Sequence, residues 1–166
     1  MNLLICVPVI RNAVVFDEMM NQVMYKRNVT VIILDNNASE DVKEKIQHYM
    51  QYPQIKVWVN MENEFVVKPW NRFIKYFLDS DFDRLIIMNS DLTLNKNWAD
   101  VCNKLFDSNP EYTLTPKISD DKRLMFETIL PTNKIHVVTD GVGIPGVFIT
   151  LSKDQAQCVY PFFSSL

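Results

Sequence analysis

Uninterrupted apolar runs alternate along the chain with segments whose apolar positions recur every three or four residues. Residues 3–7 (LLICV) and 29–34 (VTVIIL) carry almost no polar side chain, the pattern of parallel strands covered on both faces. Residues 55–59 and 85–88 repeat that pattern more briefly. Between the first two runs, residues 14–24 place Val14, Phe16, Met19, Met20 and Val23 at roughly helical spacing. Ser39 is the expected cap of a second helix running to about Met50, with Glu40 and Asp41 in its first turn suiting the helix dipole. A third helix over 70–78 is entered through Pro69, and a fourth covers 98–106. The order β-α-β-α-β-α-β-α predicts an α/β fold with a mostly parallel central sheet and helices on both faces.

Beyond Asn109 the pattern changes. Residues 112–116, 124–130 and 135–138 read as short antiparallel strands, and 147–151 as a further strand leading into a helix from Ser152. No repeat, linker or charge block divides the 166 residues, so one domain is expected, with an α/β front and a more irregular back third.

Composition narrows function mainly by exclusion. Hydrophobic residues make up 48% and charged residues 22%, the balance of an ordinary soluble globular protein. A net charge of −3 argues against gripping duplex nucleic acid through a broad basic face. Only three glycines are present, too few for a Gly-rich phosphate loop. Cys6, Cys102 and Cys158 lie far apart and form no CxxC pair, which argues against a disulfide framework or a zinc site. The apolar start lacks a basic leader region and is stopped by Pro8, so it reads as a strand rather than a signal peptide or membrane span. A cytoplasmic, reducing compartment is the expectation.

In open parallel sheets, ligands bind beyond the C-terminal ends of the strands. Four segments there are rich in Asn and Asp: Pro8-Val9-Ile10-Arg11-Asn12, Asp35-Asn36-Asn37-Ala38-Ser39-Glu40-Asp41, Asn60-Met61-Glu62-Asn63 and Asn89-Ser90-Asp91-Leu92. One such loop means little, because Asn and Asp favour turns and caps. Four converging on one sheet edge make a polar pocket on an apolar floor, the usual form of a small-ligand site.

These segments, in this order, resemble the GT-A glycosyltransferases of family 2. The resemblance rests on four features. Pro8 ends the first strand with Asn12 soon after, and the turn from Asp35 to Asp41 ends the second. Asn63 and Asn71 stand in N-E-F-V-V-K-P-W-N, and an apolar strand runs into N-S-D with Trp98 downstream. It covers residues 3 to about 100 and thins afterwards.

The resemblance implies a Rossmann-like fold, with residues 1 to about 100 as the nucleotide-sugar-binding half and about 101–166 as a reduced acceptor side. It implies that Asp35 accepts hydrogen bonds from the base, that Asn37 lies near the ribose, and that backbone groups around Pro8 and Val9 contact the nucleoside. Arg11, Asn12, Asn63 and Asn71 are counted with the donor-binding residues. Asp91 would hold Mn²⁺ or Mg²⁺ against the donor diphosphate, since a hard cation on carboxylate oxygen neutralises the charge of the departing group. Asn89 stands where the first acid of a D-x-D motif is usual, and Ser90 lies between the two.

The chain also departs from the family. Glu64, Phe65 and Val66 replace the usual small and glycine residues after Asn63. The strand at Gly146-Val147-Phe148-Ile149-Thr150 matches, and the expectation from the short stretch after it is a protein without the family's acidic acceptor loop. Asp140 is the remaining candidate for the general base, and His136 a candidate second base or metal ligand.

Plainer readings stand beside these. Asp35 and Asp91 also suit a helix cap and a turn, Asp140-Gly141 is a common turn pair, and His136 between Ile135 and Val137 suits a strand interior. Trp70 and Trp98 read as packing residues, Trp70 with the option of lining the pocket. Lys68 and Arg72 read either as phosphate contacts or as solvated helix charges.

The expected activity is therefore transfer of a sugar, with inversion, from a nucleotide-diphospho-sugar of UDP type to an acceptor hydroxyl. The acceptor is a glycan or, in a phage or other viral setting suggested by the small size, a hydroxymethylated DNA base extruded from its duplex; a viral enzyme would work in the host cytoplasm. The rivals are a non-catalytic nucleotide-sugar-binding module and a nucleotidyltransferase, the latter wanting a glycine that P-V-I-R-N lacks.

Overall fold

The structure is a computed structural model that describes residues 1–24, 28–94, 98–108 and 148–161. Its elements alternate as β1 (Leu3–Val9), α1 (Ala13–Met24), β2 (Val29–Asn36), α2 (Glu40–Tyr49), β3 (Ile55–Asn60), α3 (Val67–Leu78), β4 (Arg84–Met88) and α4 (Trp98–Ser108), followed by β5 (Phe148–Leu151) and α5 (Lys153–Val159). The five strands form one sheet in the order β3-β2-β1-β4-β5, with β1 to β4 parallel and β5 antiparallel to β4. This is the α/β class that the apolar runs predict.

The two-residue period of the strands divides the core. Leu3, Ile5 and Val7 of β1 and Val31 and Ile33 of β2 face one layer, made by α1, α2 and α4. Leu4, Cys6, Ile32 and Leu34 face the other, made by α3 and α5. Both faces being buried explains why these strands carry no polar alternation. In α3, Pro69, Trp70, Phe73, Ile74 and Phe77 form one buried stripe. Each large apolar side chain fully buried this way contributes about 1.5–3 kcal/mol.

Several boundaries differ from the expected ones. Asp35 and Asn36 are the last two residues of β2 rather than loop residues, and β3 likewise reaches Asn60. Ser39 is the N-cap of α2 by backbone geometry, but its side chain makes no capping bond; its carbonyl accepts the Val42 and Lys43 N–H groups instead. Pro69 is the third residue of α3 rather than its entry, still within the turn where a missing N–H costs nothing. Trp70 is 4% exposed and packs in the core, not in the pocket.

Helix α5 begins at Ser152 as expected, with a capping box in which Ser152 and Gln155 satisfy each other's backbone N–H groups. Lys153 Nζ then donates to the carbonyls of Phe77, Leu78 and Ser80, tying α5 to the C-terminal end of α3. Across the other layer, Asp17 of α1 accepts from Lys45 Nζ at 3.0 Å and Tyr49 Oη at 2.8 Å, clasping α1 to α2.

The expected strands at 112–116, 124–130 and 135–138 lie outside the described residues. No described helix is long and apolar enough to cross a membrane.

Candidate functional site

Because β1 to β4 run parallel, their C-terminal ends share one edge. The chain moves outward from β1 to β2 and β3, then returns to place β4 on the other side of β1. A crevice opens where the order reverses, and such switch points are where open α/β sheets hold ligands. A cavity of about 430 Å³ lies there. The β1 end contributes Pro8, Ile10, Arg11 and Asn12, and the β4 end Asn89, Ser90 and Asp91. Asn36 from β2, with Asn63, Phe65 and Val66 from the β3–α3 loop, completes the lining.

Each wall has a local cause. Asn12 adopts φ 73°, a left-handed conformation that Asn tolerates, and its carbonyl accepts the Phe16 N–H as α1 begins. The Ser39 N–H donates to the Ile10 carbonyl at 2.8 Å, joining the β1–α1 and β2–α2 loops.

Asn36 organises the far wall. It is 1% exposed and pairs in register with Asn60 of β3. Its Nδ2 donates to Asn63 Oδ1 at 2.9 Å and to the Phe65 carbonyl at 3.3 Å, while its Oδ1 accepts Asn60 Nδ2 at 2.8 Å and the Glu64 N–H at 3.0 Å. Asn60 passes the network on, donating to Glu64 Oε2 at 3.0 Å and accepting from Arg72 Nη1 at 2.5 Å. Arg72 also pairs with Glu64 at 3.3 Å, and its guanidinium lies 5.3 Å from the Trp58 ring.

Of the residues singled out from the sequence, Pro8, Arg11, Asn12, Asn63, Asn89, Ser90 and Asp91 come together around the cavity. Four others do not line it. The Val9 side chain is buried in the core. Asp35 is 6% exposed, and its Oδ1 accepts the Ala38 N–H at 2.7 Å, closing the turn into α2. Asn37 follows with φ 60°, exposed to solvent. Asn71 is half-buried on α3. Arg72 is engaged with Asn60 and Glu64 rather than pointing into the crevice. Asp140 and His136 lie outside the described residues.

Asn36, Ile10, Phe65 and Val66 were not among the predicted site residues, although all four line the cavity. A parity signal pointed to Asn36: Ile32 and Leu34 face the α3 layer, so the residue two further on lies on that face.

At the β4 end the Asp91 carboxylate is exposed, beside the amide of Asn89 and the hydroxyl of Ser90. Among the described residues no group of three or more His, Cys, Asp or Glu side chains is placed to hold a metal. These donors nonetheless fit Mg²⁺ or Mn²⁺ in kind. They are hard oxygen donors, and Mg²⁺ usually binds through one or two carboxylates together with substrate phosphates and water. Asp91 would be the protein's charged ligand, with the Asn89 amide oxygen beside it.

The family model described as "Glycosyl transferase family 2" matches residues 5–145. No curated protein matches the chain in sequence. Among solved structures, the chain is similar to residues 1–349 of S. aureus TarS, also solved with UDP, at a TM-score of 0.60 and 18% identity. It is similar to the mannosyltransferase PcManGT from Pyrobaculum calidifontis, solved with GDP-Man and Mn²⁺, at a TM-score of 0.67 and 11% identity. A 4-diphosphocytidyl-2C-methyl-D-erythritol synthase follows at 0.51 and 10%, covering 92% of this chain and 75% of that one. The TarS match covers 72% of this chain and 36% of that structure, and the mannosyltransferase match 96% and 46%. The chain therefore spans between a third and a half of the length of these two neighbours. At such identities the likeness shows the fold.

Proposed function

We propose, from the premise that the chain belongs to glycosyl transferase family 2, that it moves a sugar from a nucleotide-diphospho-sugar to an acceptor hydroxyl. The observation that carries this is the crevice at the strand-order reversal, where the polar ends of β1, β2 and β4 line a cavity of about 430 Å³. A UDP-type donor is favoured, and the complexes of TarS with UDP and UDP-GlcNAc support it by analogy of fold.

The donor's diphosphate lies at the Asn89–Asp91 end and its nucleoside towards β2 and β3. Asp35 receives the base from its remaining oxygen and Asn37 borders the ribose, while Arg11 and Asn12 approach from the β1 side. Asp91 would supply the carboxylate that holds a divalent cation, Mn²⁺ or Mg²⁺, and such a cation would offset the charge on the departing diphosphate; the Mn²⁺ in the mannosyltransferase complex supports a metal by analogy of fold. The acceptor oxygen attacks the anomeric carbon, the bond to the diphosphate breaks, and the configuration inverts. The acceptor's proton passes to Asp140, with His136 as the second candidate. Proximity and leaving-group neutralisation supply most of the acceleration. A glycan is the favoured acceptor.

A second reading, a nucleotide-sugar-binding module without turnover, draws on one observation: Asn89 replaces an acid beside Asp91, removing one negative charge from the cation's end. Incubation with UDP-sugars and Mn²⁺ separates the two. Release of UDP, with an acceptor or slowly by hydrolysis, identifies an enzyme. Metal-dependent binding with no UDP release would establish the module instead.

A further inference from the structure

Phe65 holds a backbone conformation that its side chain disfavours. Its φ is 56°, the left-handed region in which a Cβ crowds the following carbonyl and which glycine occupies without cost. Both of its peptide groups are fixed by side chains: its N–H donates to Asn63 Oδ1 at 2.8 Å, and its carbonyl accepts from Asn36 Nδ2 at 3.3 Å. The adjacent Glu64 N–H is held by Asn36 Oδ1 at 3.0 Å. This clamp dictates the turn whatever residue occupies position 65, and it turns the ring away from the core. Phe65 is 77% exposed as a residue and lines the cavity, beside Val66 at 53% and Ile10 at 38%.

A strained backbone carrying an exposed aromatic ring at a cavity mouth adds nothing to the fold. Glycine would serve the turn better, and the core loses nothing without the ring. Local strain of this kind is found where it serves a site.

We infer that Phe65 is a stacking platform for the nucleobase of the donor. The inference rests on the donor-site reading above and names the group that holds the base. With the diphosphate at Asp91, the opposite end of the cavity, walled by Asn36, Asn63 and Phe65, receives the nucleoside. There the carboxamides of Asn36 and Asn63 are already bonded to one another and to the loop backbone. Only the Asn63 Nδ2 group keeps a donor unused among the described residues, so the loop offers the base chiefly an apolar face. Stacking on that face tolerates any base, because every base has a π-face. Phe65 thus contributes affinity for the nucleoside whatever its base.

Titration calorimetry with UDP, GDP and pyrophosphate, all with Mg²⁺, tests this on the full chain and on Phe65→Gly, Phe65→Leu and Phe65→Trp. Phe65→Gly and Phe65→Leu should weaken whichever nucleotide binds the wild type by roughly 10- to 100-fold. Phe65→Trp should retain that affinity, and pyrophosphate should bind all four proteins equally. Phe65→Gly should melt within about 3 °C of wild type, since strain relief offsets the added freedom of the unfolded chain. Should Phe65→Gly not fold, Phe65→Leu carries the test with the Cβ retained. Unchanged nucleotide affinity in Phe65→Leu overturns the inference and leaves the donor site standing. An equal fall for nucleotide and pyrophosphate overturns it too, by showing that the residue acts through the loop. A wild-type chain that binds none of the three overturns the donor site and this inference together.

Discussion

At the ends of β2 and β3, the polar side chains around the cavity are occupied with one another; at the end of β4 they stand open. Asn36 makes four hydrogen bonds while almost wholly buried, and Asn60, Asn63, Glu64 and Arg72 extend the same network. The Asp91 carboxylate is exposed, and no hydrogen bond or ion pair among the described residues engages it. A satisfied buried network is rigid, because losing any member strands the others away from water. An exposed carboxylate keeps its lone pairs for whatever arrives. One end of the cavity is thus shaped in advance, and the other keeps a carboxylate of the kind a hard cation takes as ligand.

Substitutions at the two ends should therefore fail in different ways. The largest effect is expected for Asp91→Ala: loss of metal-dependent donor binding and at least about a 100-fold fall in turnover. Its unfolding free energy should stay within about 0.5 kcal/mol of wild type, as for an exposed side chain without partners. Equal activity in the variant would show that the open carboxylate holds no cation.

Asn36→Ala should cost about 2 kcal/mol of stability in a urea titration, because it strands the Glu64 N–H and the Phe65 carbonyl. It should weaken nucleotide binding as well, since the loop carrying Phe65 loses its clamp. Unchanged stability would show that the network is incidental.

Asp35→Asn sharpens the picture further. An amide oxygen can still accept the Ala38 N–H, so stability should hold, while affinity for a uridine nucleotide falls roughly 10-fold with the charge. Direct titration of the nucleotide reads both the presence and the size of that fall.

The smallest effect lies away from the cavity, in the clasp between α1 and α2. Burial pushes the Asp17 pKa upward, but hydrogen bonds from Tyr49 and Lys45 and the Lys45 charge outweigh it, leaving the pKa below its ordinary value of 3.8. A depressed carboxylate stabilises the folded state fully above its unfolded pKa and loses that contribution as pH falls through the folded value. Between about pH 5 and pH 3, wild-type stability should accordingly decline more steeply than that of Asp17→Asn. Parallel curves would remove Asp17 from the account.

The fold was legible because both faces of the sheet are buried. Runs such as residues 29–34 and 85–88 have no polar alternation to confuse them with loops or surface helices. The site was legible in outline, since Asn and Asp at strand ends mark where loops begin. What those side chains do there was harder to read. Asp35-Asn36-Asn37 is three similar residues in a row, yet the first closes a turn, the second is buried as a hub, and the third is exposed with φ 60°. Composition cannot separate these roles; strand parity, which places Asn36 opposite Asn60, can. Phe65 was legible as a departure from a glycine position but not as part of a wall, because its orientation depends on the Asn36 and Asn63 bonds across 29 and 2 residues.

The central claim is that the crevice binds a nucleotide-sugar through a cation held at Asp91. Thermal unfolding of wild type and Asp91→Ala against UDP, UDP-GlcNAc and GDP-Man, with and without Mn²⁺, tests it most directly. The account predicts that one nucleotide family stabilises the wild type only with the metal, by about 2.7 kcal/mol at a hundredfold excess over its dissociation constant, and that Asp91→Ala shows no such gain. Stabilisation of equal size in the variant, or none in the wild type with any of the three, would contradict it.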